Sequence, residues 1–287
     1  MTQLRVSVLT PSYNQARWLA DNLRSVAVQS YPIIEHIVMD GGSTDGSRDI
    51  LASASPAVVW ESGPDEGQSD AINKAFHRST GEIIGWLNSD DAYFSRDVVA
   101  RAVEVFEKHP EIGLVYGHAV LVNTEGTILQ VIWASPFAHA GIRAFDFISQ
   151  PTVFVRRSAL GRPDLVDPAL EYAMDWELWL HLARRTRFHR LNRVVALGRH
   201  HLQRKSYTRP DLATHDTDLL KKRYGRPRLA SILVVHKGMN AVLRMSGLSK
   251  VREAARGGDA LGLTASARSL AFRQIAQLRR WMPAEDK

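Results

Sequence analysis

The sequence contains no cysteine. That absence excludes disulfides, thiolate catalysis and zinc sites built on sulfur, and it is consistent with a reducing cytosol. No segment supplies the roughly 18 uncharged apolar residues needed to cross a bilayer, so a spanning helix is not expected. No basic-then-apolar leader opens the chain: Val6 to Leu9 is too short for a signal peptide and reads as a first strand. There is no internal repeat or low-complexity tract, and 12 prolines and 19 glycines are ordinary enough to exclude a fibrous or disordered class. What remains is a chain of 287 residues, 45% hydrophobic, able to bury a sizeable core as one large domain or a domain with an appendage.

The net charge of +7 is unevenly spread. Residues 221–287 hold 15 Lys and Arg against 4 Asp and Glu, whereas the first 220 residues hold 22 against 26. Within the basic segment, Ile232, Val235, Met239 and Val242 fall at helical spacing, and Ala271, Ile275, Leu278 and Met282 repeat the pattern beside Arg268, Arg273, Arg279 and Arg280. Such helices suit either an anionic membrane surface or packing against the body or a second copy in a homo-oligomer. No aromatic platform is interleaved with the charge, which argues against nucleic acid as a partner.

Short β-rich apolar runs occupy 4–10, 35–39, 58–61 and 83–87, with helical stretches between them at about 16–29, through Ile50 and Leu51, and at 69–78. Strands alternating with helices across short polar turns predict an α/β fold with a mostly parallel central sheet flanked by helices. Polar Asp, Asn or Ser residues follow the strands, which places a site at the carboxyl ends, where open α/β sheets bind their ligands. After a helix at about 97–108, the runs 112–116, 119–122 and 127–133 read as strands, with a hairpin turn at 123–126. A helix at about 172–185 carries Trp176, Trp179, Leu180 and Ala183 on one face.

Four local patterns carry chemistry. The fourth strand stops on Asn88-Ser89-Asp90-Asp91. Adjacent carboxylates repel unless a cation or proton lies between them, so a divalent metal is one reading and a polar turn the other. Asp40 precedes the turn Gly41-Gly42-Ser43-Thr44-Asp45-Gly46, which follows the second strand and lacks the dinucleotide-binding glycine spacing, so a Rossmann dehydrogenase is disfavoured. Asp175 lies near the start of the Trp-rich helix, as a general base or as a carboxylate that caps its own backbone. Arg199-His200-His201-Leu202-Gln203-Arg204-Lys205-Ser206 reads as a basic loop, either a diphosphate clamp or a solvated surface.

Taken in chain order, these pieces resemble the family 2 glycosyltransferases of GT-A fold, particularly bacterial enzymes that assemble exopolysaccharide, capsule or O-antigen sugars. The resemblance rests on Val8-Leu9-Thr10-Pro11-Ser12-Tyr13-Asn14, Asp40 to Asp45, Asp65 to Lys74, Gly81 to Ile84, Leu87 to Asp91, Gln150-Pro151-Thr152, Met174 to Trp179, and Arg199 through Ser206. It implies a catalytic body over 1–220, with a nucleotide-binding half at 1–95 and an acceptor half at 96–220, and a basic helical extension at 221–287. It implies that Thr10, Pro11 and Tyr13 line the base and that Asp40 binds base or ribose. Asp65, Gln68 and Asn73 would border the nucleotide, with Lys74 reaching the phosphates. Asn88, Ser89 and Asp90 would meet the nucleotide, and Asp90, with Asp91 beside it, matches the Asp-x-Asp metal signature. Asn88 departs from that signature, standing where its first Asp belongs. Asp175 matches the general base, and Arg199, His200 and Ser206 match a diphosphate-side loop, with His200 as a further metal ligand.

The activity so implied is an inverting, Mg²⁺- or Mn²⁺-dependent transfer from a nucleotide-sugar donor, with UDP the family's habitual nucleotide, to a saccharide or lipid-linked acceptor. The expected setting is cytoplasmic, peripheral on the inner face of the cell membrane. A base to take the acceptor proton and a cation for the departing diphosphate are the two requirements of that chemistry. A catalytically silent sugar-nucleotide-binding or scaffold protein is the first alternative, against which Asp90 and Asp175 argue. A nucleotidyltransferase is the second, against which the lack of a glycine-rich basic loop after the first strand argues.

Overall fold

A computed structural model describes residues 3–202 and 205–225. The basic extension from 226 onward, with its two apolar stripes, lies outside the described residues.

The first half is the predicted alternation of strands and helices. β1 (Val6–Ser12), α1 (Ala16–Ala27), β2 (Ile34–Asp40), α2 (Ser47–Ala52), β3 (Val58–Ser62), α3 (Gln68–Arg78) and β4 (Ile83–Trp86) follow in turn. β1 runs parallel to both β2 and β4, and β2 runs parallel to β3. Val6, Val8, Leu9, Ile83 and Ile84 are buried, the continuous apolar pattern of strands covered on both faces. α1 turns Trp18, Leu19, Leu23 and Val26 inward at helical spacing.

The second half is mixed, where the sequence predicted a mostly parallel sheet. β5 (Ala92–Tyr93), α4 (Val98–Lys108), β6 (Ile112–Val122) and β7 (Ile128–Ile132) are followed by α5 (His139–Ala144), a 3₁₀ turn at Gln150–Thr152, β8 (Phe154–Arg156) and α6 (Arg157–Leu160). α7 (Met174–Leu182), β9 (Arg187–Arg199), α8 (Lys205–Thr208) and α9 (Pro210–Tyr224) complete it. The sheet order is β3-β2-β1-β4-β8-β6-β9-β5, with β7 paired to β6. β8 is antiparallel to both β4 and β6, whereas β6 and β9 are parallel. The two strands expected at 112–116 and 119–122 are one, β6, and the hairpin to β7 closes through the Gly126 N–H donating to the Asn123 carbonyl at 3.0 Å.

α7 is buried on nearly all sides rather than along one face. Part of that cover is α9, which crosses residue 220 and seats Asp216, Leu220 and Tyr224, four residues apart, against the body. The Tyr224 hydroxyl donates to Glu177 Oε1 on α7 at 2.6 Å, and Arg162 pairs with the other oxygen of the same carboxylate at 2.8 Å. The adjacent face of α9 presents Thr217 and Lys221 to a cavity.

Candidate functional site

That cavity, about 1070 Å³, opens at the carboxyl ends of β1 to β4 and continues to the start of α7. β1 supplies Pro11, Ser12 and Tyr13, the turn after β2 supplies Gly41, the loop after β3 supplies Asp65, and β4 leads into Asn88, Ser89 and Asp90. Asp175, near the start of α7, lines the same cavity. A Cβ on Gly41 would sit 2.7 Å from Asp65 Oδ2, so the absence of a side chain at 41 is what lets that carboxylate approach the strand end.

Of the residues expected at the nucleotide, Pro11, Tyr13, Asp65, Gln68, Asn88, Ser89 and Asp90 line the cavity. Thr10, Asp40, Asn73 and Lys74 do not. The Thr10 hydroxyl is buried against His36 Nε2 at 2.9 Å. Asp40 accepts from the Ser43 N–H at 2.9 Å and the Ser62 hydroxyl at 2.7 Å, tying β2 to its turn and to β3. Asn73 makes a two-way pair with the Val166 backbone at 3.0 and 3.1 Å. Lys74 pairs with Asp70 one helical turn away at 2.7 Å.

Asn88 is fixed by a network of amides. Its Oδ1 accepts from Gln68 Nε2 at 3.0 Å and Trp86 Nε1 at 2.8 Å, and its Nδ2 donates to Gln150 Oε1 at 3.0 Å. Gln150 Nε2 in turn donates to the Trp86 carbonyl at 2.6 Å, which sets the orientation of the Gln150 amide. A carboxylate at 88 would bring oxygen against oxygen at Gln150, and this explains why an amide suits the position.

The acidic pair after β4 divides its roles. Asp90 faces the cavity, whereas Asp91 is 4% exposed and off the cavity wall, with Oδ1 close behind Gly198. Arg199 does not reach the cavity either. It is 4% exposed, ion-paired to Asp21, and donates to the Asp90 carbonyl at 3.0 Å. Burial lowers the Arg199 pKa, opposed by the charges of Asp21, Asp91 and Asp90. Arg199 thus offsets the repulsion between the two carboxylates from behind.

The imidazole beside Asp90 belongs to His201, not His200. His201 Nε2 lies 2.9 Å from Asp90 Oδ2, and its ring packs on Trp18 with centroids 4.2 Å apart. His200 donates its backbone N–H to the Val122 carbonyl at 2.7 Å, prolonging the β6–β9 pairing, and lines a separate hollow with Arg17 and Thr124. Ser206 lies on α8, but its side chain is outside the described residues. Lys205 lines the cavity instead, donating to the Glu171 carbonyl, and burial lowers its pKa.

Among the described residues no three His, Cys, Asp or Glu side chains cluster as a complete metal cage. Asp90 and His201 form a two-donor set, which suits Mg²⁺ or Mn²⁺ when ligand oxygens and water fill the remaining positions. Ser12 Oγ, Gln15 Oε1 and His201 Nδ1 are buried polar atoms on the wall without a hydrogen-bond partner among the described residues. Orphans of this kind call for a polar ligand.

At the start of α7, Asp175 Oδ1 accepts from the Trp176 N–H at 2.8 Å, and burial raises its pKa to about 6 despite that contact. Two features here carried no signal in the sequence. Asp146, in the segment after α5, lines the same cavity as Asp175. Asp216 on α9, 1% exposed, accepts with Oδ2 from the N–H groups of Glu171, Tyr172 and Ala173 at 3.0, 2.7 and 3.1 Å, immediately before α7.

Comparison with known proteins places this architecture. An uncharacterized glycosyltransferase of Nostoc sp. is 28% identical over 194 residues, covering 61% of this chain and 56% of that protein. An uncharacterized glycosyltransferase of Mycobacterium tuberculosis is 38% identical over 114 residues, 39% of this chain and 44% of that protein, so the chain spans about half the length of these two relatives. The putative teichuronic acid biosynthesis glycosyltransferase TuaG of Bacillus subtilis is 29% identical over 187 residues, 63% of this chain and 72% of that protein. Among solved structures, mannosyltransferase PcManGT from Pyrobaculum calidifontis, in complex with GDP-Man and Mn²⁺, superposes with a TM-score of 0.58 at 19% identity, covering 98% of this chain and 84% of that one. S. aureus TarS 1-349 in complex with UDP-GlcNAc gives 0.55 at 19% identity, over 69% and 59% of the two chains. These likenesses carry the fold, which is GT-A. Residues 7–160 match the family described as glycosyl transferase family 2, and with more than half of its length inside that match the chain belongs to this family.

Proposed function

We propose that the protein is a metal-dependent, inverting glycosyltransferase that moves a sugar from a nucleoside-diphosphate donor, a UDP-sugar, to a saccharide or lipid-linked acceptor in surface-polysaccharide synthesis. The observation that carries this reading is that Asp90 and Asp175 line one cavity. The strand ends there carry unpartnered polar atoms. The start of α7 supplies a carboxylate whose Oδ1 is held by the Trp176 N–H. The solved relatives bound to UDP-GlcNAc or to GDP-Man and Mn²⁺ support the donor class.

In this reading Tyr13, Gly41 and Asp65 border the base and ribose, and the Asn88 network holds Asp90 in place. Asp90 and His201 are the side chains that would hold a divalent cation, which when bound supplies charge neutralisation for the leaving diphosphate. Asp175 takes the proton of the acceptor hydroxyl as that oxygen attacks the anomeric carbon. With its pKa at about 6, it is ionised and competent above that pH. The departing diphosphate needs no proton, so this chemistry requires no acid partner of the kind a glycoside hydrolase employs.

A cytoplasmic position, peripheral on the inner face of the cell membrane, is part of the proposal; the basic segment after 220 supports it. Among the described residues no helix is long and apolar enough to cross a membrane.

Calorimetric titration of UDP tests the donor side. Binding is expected in Mn²⁺, to weaken at least tenfold in EDTA, and to lose its metal dependence in Asp90→Ala. Equal affinity under all these conditions contradicts the reading.

A further inference from the structure

Asp146 and Asp175 approach the cavity from different elements held in fixed relation. The Trp176 indole N–H donates to the Ile142 carbonyl at 2.6 Å, clamping α7 to α5, and Asp146 follows α5 by two residues. Each carboxylate has one oxygen oriented by backbone: Asp146 Oδ1 accepts from the Ile148 N–H at 3.0 Å, and Asp175 Oδ1 from the Trp176 N–H at 2.8 Å. Neither makes an ion pair among the described residues, and both line the cavity. Two like charges held together without a cation destabilise a fold. An arrangement that costs stability and faces a cavity is the signature of a binding site.

The other charged or titratable groups on this cavity wall are Asp65, Asp90, His201, Lys205 and Lys221, beside Tyr13 and Tyr172. Asp65, Asp90 and His201 belong to the donor side described above. The Asp146–Asp175 pair therefore lies where the second substrate enters. Two carboxylate oxygens on fixed supports suit two hydroxyls of one sugar ring, each donating to one carboxylate.

We propose that Asp146 is a specificity-determining residue that binds an acceptor hydroxyl neighbouring the nucleophile, and so decides which hydroxyl Asp175 deprotonates. This rests on the assignment of Asp175 as base. The acceptor class it selects is a saccharide with adjacent free hydroxyls.

The electrostatics agree. Burial, and then the Asp175 charge, raise Asp146 well above the usual carboxylate range. Asp146 is exposed to solvent, so the mutual rise is largest once substrates exclude water.

The test uses the full-length protein, UDP-sugars as donors, and methyl glycosides with their monodeoxy analogues as acceptors. Asp146→Asn and Asp146→Ser are read alongside Asp175→Asn, with UDP affinity measured for each. Asp146→Asn is expected to keep UDP affinity and to raise acceptor KM about tenfold. It should also stop discriminating against the one deoxy analogue that the wild type rejects. Asp175→Asn should abolish transfer, and if it does not, the base assignment itself falls. If Asp175→Asn abolishes transfer but both Asp146 variants keep the acceptor KM and deoxy-analogue discrimination of the wild type, the proposal for Asp146 is overturned. Loss of UDP affinity in the Asp146 variants places the residue on the donor side and overturns it equally.

Discussion

Replacing Asp216 by Ala probes how the catalytic helix is held. Three successive N–H groups, from Glu171, Tyr172 and Ala173, converge on one oxygen of a side chain that is 1% exposed. Hydrogen bonds to a charged group contribute about 1.5–3 kcal/mol each, and bonds sharing one acceptor do not add fully. Removal also strands buried donors, so the loss should resemble that of breaking a buried charge interaction, about 3–5 kcal/mol. Asp216→Asn keeps an oxygen but loses the charge, and should cost about half as much. The loss should depend on pH. Burial alone would raise the Asp216 pKa, but donation from Tyr172, His215, Ala173 and Glu171 outweighs it and holds the carboxyl below its ordinary value. A depressed carboxyl stabilises the fold above its unfolded pKa, about 4, and that contribution disappears as pH falls through the folded value. Urea unfolding of the full chain, followed by tryptophan fluorescence, should show the full difference at pH 7 and a shrinking one below about pH 4. Transfer should fall as well, because Asp175 lies two residues beyond the anchored segment. A loss below about 1 kcal/mol, or one that stays constant down to pH 3, refutes the reasoning.

Two further outcomes follow from the same chemistry. His36 is fully buried against Thr10, and burial holds its pKa down at about 3, below the unfolded value near 6.5. The fold therefore loses stability as pH falls from about 6.5 toward 3, by up to about 1.4 kcal/mol per pH unit. Urea curves at pH 7 and 4.5 should diverge more for wild type than for His36→Gln, and equal slopes contradict this. The basic extension should bring full-length protein to anionic liposomes in flotation at low salt, each cation near the surface contributing about 1 kcal/mol. Arg273→Glu, Arg279→Glu and Arg280→Glu together should weaken that binding; protein that ignores the liposomes assigns the segment to packing or assembly.

The nucleotide-side half was legible because its strands are continuous apolar runs ending on polar residues. β1 to β4 and the helices between them appear close to where the periodicity puts them. β9 was not legible, since Arg187, Arg190 and Arg193 interrupt its first half and hide the apolar alternation of a strand buried mainly toward its end. β8, three residues long, owes its place to long-range antiparallel pairing that leaves no local pattern. Within the site, a motif fixed the neighbourhood but not the facing. Gln68 and Ala71 on α3 look into the cavity, whereas Asn73 and Lys74, a fraction of a turn further, look elsewhere. The same phase difference puts His201 beside Asp90 and leaves His200 outside. Asp146 and Asp216 had no chance of detection, because a lone Asp acquires meaning only from what the fold brings to it.

If Asp175 is the base that activates the acceptor, it acts on transfer and not on binding of the donor. The most direct measurement is sugar transfer and UDP affinity in the same preparation of Asp175→Asn. UDP affinity is expected within about twofold of wild type and transfer reduced by about 10²-fold or more, the scale of a positioned acid–base group. Undiminished transfer, or an equal loss of UDP affinity and transfer, would contradict it.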